Sequence, residues 1–215
     1  MANTRYRFDE RPGRGRLGRH VNHDPRSRAY AHRASGRVLV SVRHQRMIPV
    51  LDQGNLGSCT GNAGTGVLGT LPDWHGLPGS VKAALDEKYA VQLYSDATKV
   101  DAYAGTYPPT DTGSDGLSVA KALKNRGLIS GYTHALSLAD ALDALQDGPV
   151  MTGVAWHTGM DSPDHGGLVA IDGAIRGGHE FVVDEYVADL KAIGCTNSWG
   201  TSFGLNGRFY MHEQD

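Results

Sequence analysis

The chain has 215 residues, of which 20% are charged and 40% hydrophobic, and a formal net charge of −2. A chain of that length hides roughly 70% of its unfolded surface, enough for one compact unit or two joined lobes. No run approaches the ~18 consecutive apolar residues of a membrane span, and two cysteines, Cys59 and Cys195, cannot make a disulfide framework, which fits a reducing compartment.

The charge is unevenly spread. Residues 1–46 hold twelve Arg, no Lys and three acids, about +9, whereas the rest of the chain sums to about −11. The opening MANTRYRFDERPGRGRLGRH lacks the apolar core of a secretory leader, so a cytoplasmic location is expected. Residues 1–36 are rich in Gly, Pro and Arg, show little periodicity, and read as an extended or partly disordered arm. Residues 1–30 are expected to lie outside the fold. Three readings of the arm stay open: it lies on its own acidic body, it makes a weak polyanion contact, or it is a pro-segment.

Beyond the arm, VLVSV (38–42) predicts a strand that pairs with the C-terminal part of the chain. Gly54, Asn55 and Gly57 mark a tight loop before a helix over about 59–71, unusually rich in glycine. Each internal glycine costs about 1 kcal/mol against alanine, so this helix needs tertiary burial, and its small side chains invite close neighbours. Leu85, Tyr89 and Leu93 predict a helix over about 81–97, and 117–126 reads as another, stopped by Gly127. Ser137 and Asp140 have capping-box spacing, followed by Leu138, Ala141, Leu142 and Leu145 on one helical face. After Pro149 the texture turns to strands: PVMTGVAW, GLVAI, EFVVDEY, LKAIGCTN and GRFYMH. Helices followed by strands predict an α+β fold, with 37–147 mainly a helical lobe and 148–215 mainly a β lobe.

Cys59 stands where the glycine-rich loop enters a helix. Unsatisfied first-turn amides and the helix dipole favour an anion there, so a lowered thiol pKa is expected, the requirement for a thiol nucleophile. Gln53, six residues earlier, is positioned to fold back beside the Cys59 amide as an oxyanion donor. A nucleophilic thiol needs a base, and the base an orienter. His179 follows Gly177–Gly178 at the mouth of one predicted strand, and Asn197 ends the next, with Trp199 two residues on. The His20, His23, Asp24 group and the His157, Asp161, His165 group lack the spacing of a metal site, and neither a metal nor a cofactor is expected. Cys195 shares one strand face with Asn197 and reads as core.

Three segments carry a resemblance. PVLDQGNLGSCTGNA is similar to the active-site segment of papain-like cysteine peptidases, GGHEFVV resembles their histidine strand, and NSWGTSFGLNGRFYM resembles their asparagine segment. The order Cys, His, Asn agrees, with separations of 120 and 18 residues, the first shorter than the family's usual range. The resemblance covers about residues 48–212. It implies a two-lobe papain-like fold, a helical lobe with Cys59 at the head of the central helix and an antiparallel β-barrel-like lobe. It also implies Cys59 as nucleophile, His179 as its proton partner, Asn197 as orienter, Gln53 as oxyanion donor, and Trp199 as a cover over the His–Asn contact. Ser114, Asp115 and Gly116 resemble the loop that pairs with an extended substrate peptide, and Gly178 and Trp199 complete the implied substrate-binding set. Thr60, Leu56, Glu180 and Phe203 depart from the usual pattern, and the family's cystines are absent. These departures resemble the short bacterial and phage branch, which adds a virion or host cytoplasm to the expected locations. The activity implied is a cysteine endopeptidase acting on peptide or protein. The alternatives are a silent papain-fold structural or binding protein, as in a virus particle, and an amidase acting on cell-wall peptides.

Overall fold

A computed structural model describes residues 16–22 and 24–215; the first fifteen residues and His23, with the expectations that fall on them, lie outside the described residues. The first regular pieces are a 3-10 turn, Pro25–Tyr30, and two short strands, β1 (Ala31–His32) and β2 (Val42–Arg43). Helix α1 (Cys59–Leu68) is followed by two single-turn helices, α2 (Asp73–Gly76) and α3 (Gly79–Lys82), and then by α4 (Glu87–Thr98) and α5 (Gly116–Asn125). Strand β3 (His134–Ala135) and helix α6 (Leu138–Leu145) precede the main strands β4 (Val150–His157), β5 (Ile175–Val187), β6 (Ala192–Thr196) and β7 (Arg208–His212).

Helix α1 is packed on several sides, with nine of its ten residues buried. A Cβ at Gly61 would overlap the Ala90 carbonyl and the Tyr94 backbone of α4. One at Gly64 would press on Val119 of α5 and Leu93 of α4, and one at Gly66 on Val182 of β5. The missing side chains are what let three elements approach one helix. Helices α4 and α5 start at Asp86 and Asp115, whose carboxylates accept from the Tyr89 and Ser118 amides at 2.8 Å each. Ser137 caps α6 by accepting from Asp140 N–H at 3.1 Å, but Asp140 does not complete a capping box. Its carboxylate turns to the amides of Ala34 (2.9 Å) and Leu136 (3.3 Å), so the arm competes for it.

Strand β5 organises the antiparallel sheet. Its first part pairs with β4, from His157↔Ile175 to Val150↔Val183. Its end pairs with β2 through Glu185 and Tyr186, and its other edge holds β6, which in turn holds β7. The sheet does not close into a barrel. Of the predicted VLVSV strand only Val42 pairs, together with Arg43. GLVAI forms no strand: Leu168 makes a single bridge to Tyr210 between left-handed turns at Gly167 and Gly173, which interrupt extended pairing. One apolar core lies on the sheet beneath α6 (Trp156, Phe181, Phe209, Leu145), and a second lies among the helices (Leu68, Leu93, Val119).

Residues 16–22 do not lie outside the fold as expected. Leu17 is 2% exposed and belongs to the sheet core. Farther along, Ser35 N–H and Oγ donate to Asp143 of α6 at 2.9 and 2.7 Å, and β1 pairs in parallel with β3. Overpacking a filled interior destabilises by about 1–3 kcal/mol. Gly64→Leu is therefore expected to lower the stability of the full chain by at least that much, measured by denaturant unfolding; a variant as stable as the parent would show that α1 has room to spare.

Candidate active site

Cys59 opens α1 and is completely buried. Ser58, at the cap position, makes no side-chain hydrogen bond to the first-turn amides. The loop before it is fixed by Gln53. Gln53 N–H donates to the Ser198 carbonyl at 2.9 Å, its Oε1 accepts from Ser198 Oγ at 2.7 Å, and its Nε2 donates to the Leu56 carbonyl at 2.8 Å. Gly57 N–H reaches Asp111 at 2.9 Å, and Tyr94 of α4 donates to the same carboxylate at 2.7 Å.

His179 lies on β5 opposite Val154 of β4, and is fully buried. Its Nε2 meets Asn197 Oδ1, just past the end of β6, at 2.7 Å, and its Nδ1 has no hydrogen-bond partner among the described residues. Because an amide oxygen accepts, Nε2 carries the proton and Nδ1 holds a lone pair. The Trp199 ring stacks on the imidazole, with centroids 4.6 Å apart and planes 29° apart, covering the His–Asn contact. Trp156 meets the imidazole edge-on at 4.9 Å and donates from Nε1 to Asp161 at 3.0 Å. The backbone amide of Glu180, one residue past His179, lies close enough to the Cys59 sulfur to oppose the rise in its pKa. His179, Asn197 and Trp199 thus form one cluster, tied to Gln53 through Ser198, and Cys59 opens the helix that packs on the same strand without a hydrogen bond to the imidazole. Cys195 is buried on β6, paired with Val183 and Phe209.

The arm runs through this cluster. Gln53 Nε2 donates to the Arg16 carbonyl at 3.0 Å. Ser114 brackets the arm in parallel register: its N–H donates to Gly18 O at 2.9 Å, and its carbonyl accepts from His20 N–H at 2.7 Å. Arg19 N–H donates to the Gly178 carbonyl at 3.0 Å. The Gly18 amide, like that of Glu180, lies near enough to the Cys59 sulfur to oppose the rise in its pKa. Of the residues expected to pair with an extended peptide, Ser114 and Gly178 do so with the chain's own arm. Asp115 accepts from Asn22 at 3.2 Å, and Gly116 packs against the Glu180 carboxylate. A cavity of about 560 Å³ opens elsewhere, between α6 and the sheet, and touches none of these residues.

Sequence reasoning missed Trp156, Ser198 and the seating of the arm. Ser198 was within reach, between Asn197 and Trp199. The arm offered one signal, Leu17 beside Gly18, a lone apolar residue among arginines and glycines.

Electrostatics correct one expectation. Burial pushes the Cys59 thiol up to about 12, with the Glu180 carboxylate adding to the rise and the two amides opposing it. Burial pushes His179 down to about 4, against the Asn197 hydrogen bond. Burial raises Glu180 to about 7, partly offset by the Arg19 guanidinium. The helix N-terminus does not prevail because the thiol is completely buried. Thiol and imidazole are both neutral in this arm-covered state.

No protein-family model and no curated protein matches the sequence. Solved structures do. Xylellain, a cysteine protease from Xylella fastidiosa, matches with TM-score 0.69 at 16% identity, over 96% of this chain and 92% of its own. Digestive procathepsin L 3 from Tenebrio molitor larval midgut matches with TM-score 0.56 at 17% identity, over 84% of this chain and 67% of its own. The proform of Amb a 11, a ragweed pollen allergen and cysteine protease, matches with TM-score 0.53 at 16% identity, over 85% and 62%. The chain has the α+β papain-like fold of these proteins.

Two outcomes follow for the full chain. A Cβ at Gly18 would overlap the Gly57 carbonyl, so Gly18→Val must lift the arm. Iodoacetamide should alkylate Cys59 in that variant several-fold faster than in the parent, read by peptide mass spectrometry; equal rates would mean the arm does not shield the thiol. In the parent, the His179 imidazole should stay neutral to about pH 4, whereas an unfolded histidine protonates near 6.5. The unfolded state binds the proton first, so this residue's contribution to stability falls as pH drops from 6.5 towards 4. An imidazole NMR titration with a midpoint above 6 would contradict this.

Proposed function

We propose that the chain is a cysteine peptidase acting through Cys59, His179 and Asn197. The observation that carries this reading is the buried 2.7 Å His179–Asn197 bond, with Nδ1 unpartnered among the described residues, on the strand that packs against the helix opened by Cys59. Nδ1 accepts the thiol proton, and the thiolate attacks the peptide carbonyl carbon. The Cys59 amide and Gln53 Nε2 stabilise the oxyanion; Gln53 Nε2 already donates to a backbone carbonyl, that of Arg16. His179 then gives its proton to the leaving amine, and water attacks the thioester to release the acid and restore the thiol. Asn197 keeps the ring in the required tautomer, and the Trp199 ring excludes water from the bond between them. That the fold neighbours are described as cysteine proteases supports the reading. The short bacterial and phage branch is the best-fitting kind, on the departures in its motifs.

In this reading residues 16–22 are an intramolecular plug. They take the backbone positions at Ser114 and Gly178 that a peptide substrate needs. The Gly18 amide lies near the sulfur and opposes the rise in its pKa.

In a Gly18→Val background, Cys59→Ser should abolish peptide hydrolysis and labelling by a thiol-directed epoxide, while circular dichroism stays unchanged. Turnover within tenfold of the background would refute the nucleophile assignment. Cys195→Ala should keep activity and lose about 1–2 kcal/mol of stability. Asn197→Ala should reduce kcat less than His179→Ala, because an unoriented ring still finds its place part of the time; equal losses would give Asn197 a different role. Labelling without cleavage of any peptide would favour an amidase acting on another amide, and no labelling at all a silent papain-fold protein.

A further inference from the structure

Beside the reacting groups lies a narrow slot that the proposed chemistry does not use. Glu180 closes one end; it is 3% exposed and sits on the strand that carries His179. The slot is cleared by glycine. Gly153 of β4 stands opposite Glu180 in the ladder, and a Cβ there would occupy the place of the Arg19 side chain. A Cβ at Gly116 would collide with the Glu180 carboxylate, and one at Gly178 with the Arg19 carbonyl. The side chain that fills the slot is Arg19 itself, with Nε 3.0 Å from Glu180 Oε2. The buried Asp115 carboxylate adds negative potential at Glu180. A long, thin, cationic side chain therefore has space, direction and a counter-charge.

We infer that this slot is a specificity pocket for a basic side chain, so that the enzyme selects peptides bearing Arg or Lys at the residue lying over Glu180, and Arg19 is the arm's imitation of it. The inference rests on the peptidase reading. With Arg19 in place burial already raises Glu180 to about 7, and loss of that cation raises it further, so an empty or neutrally filled slot leaves Glu180 protonated, whereas a cationic side chain holds it ionised and paired. A substrate cation restores the pair; a neutral side chain of equal length does not. Selection arises from that difference.

The test uses the full chain carrying Gly18→Val, which lifts the arm, together with Arg19→Ala, which vacates the slot, and fluorogenic peptides in which each position in turn is Arg, Lys, norleucine, Leu or Glu. At one position Arg and Lys should exceed norleucine by about tenfold or more in kcat/KM, chiefly through KM. Adding Glu180→Gln should bring the Arg-to-norleucine ratio close to one. Should Glu180→Gln not fold, Gly153→Val is the second variant; it fills the slot and should collapse the same ratio. Turnover with no basic preference at any position, or a preference that survives both variants, overturns the inference and leaves the peptidase reading standing. In that case Arg19–Glu180 is only a latch for the arm. No turnover of any peptide, with Cys59 unreactive to a thiol-directed epoxide, removes the peptidase reading and this inference together.

Discussion

The structure depends on a helix that has given up most of its side-chain volume. Helix α1 carries glycine at 61, 64 and 66, so its intrinsic helix propensity is poor by about 1 kcal/mol at each. The same absences let α4, α5 and β5 press against its backbone, and that contact holds it helical. Cys59 is therefore positioned by helices from one half of the chain and strands from the other. Its placement opposite β5 is a property of the whole packing, not of the loop that precedes it. A loss of core packing in either half is transmitted to the thiol.

Helices with strong periodicity were legible in the sequence, because propensity, caps and burial agree there. Leu138–Leu145 begins at the predicted Ser137 cap, and Gly116–Asn125 ends where Gly127 said it should. GLVAI was misread because its β-branched composition was weighed without the two left-handed glycines beside it. The meeting of His179 and Asn197 was legible from motif order and from their places on adjoining strands. The protonation of the site was not. A helix N-terminus argues for a thiolate only where solvent or a cation supports the charge, and that depends on what covers Cys59. The cover is Gly18, in a segment whose composition argues for disorder. Its structure is imposed by its partners, Ser114 and Gly178, more than 90 residues away in sequence.

Charge asymmetry between arm and body is real but is not what seats the arm. Arg37 pairs with Asp147 at 2.6 Å and Arg16 with Asp111 at 3.1 Å, yet partly exposed pairs contribute about 1 kcal/mol at most. The directional part is backbone hydrogen bonding at Ser114 and Gly178, and the apolar part is Leu17, whose full burial is worth about 1.5–3 kcal/mol. Arg19 and Arg37 also reach buried carboxylates, Glu180 and Asp143. The arm is specific where it crosses the cleft and mainly electrostatic elsewhere, so added salt weakens its outer contacts before its inner ones.

The arm is covalently part of the chain whose cleft it fills. Its local concentration at Ser114 and Gly178 is set by the length of chain joining Leu17 to Leu51, not by how much protein is in solution. Dilution therefore does not empty the cleft, and opening is a first-order event with a rate belonging to each molecule alone. Any ligand competing for those backbone groups must exceed that fixed effective concentration to enter. The fraction of open molecules is consequently the same in a crowded compartment and a sparse one, until something cuts, pulls or binds the arm.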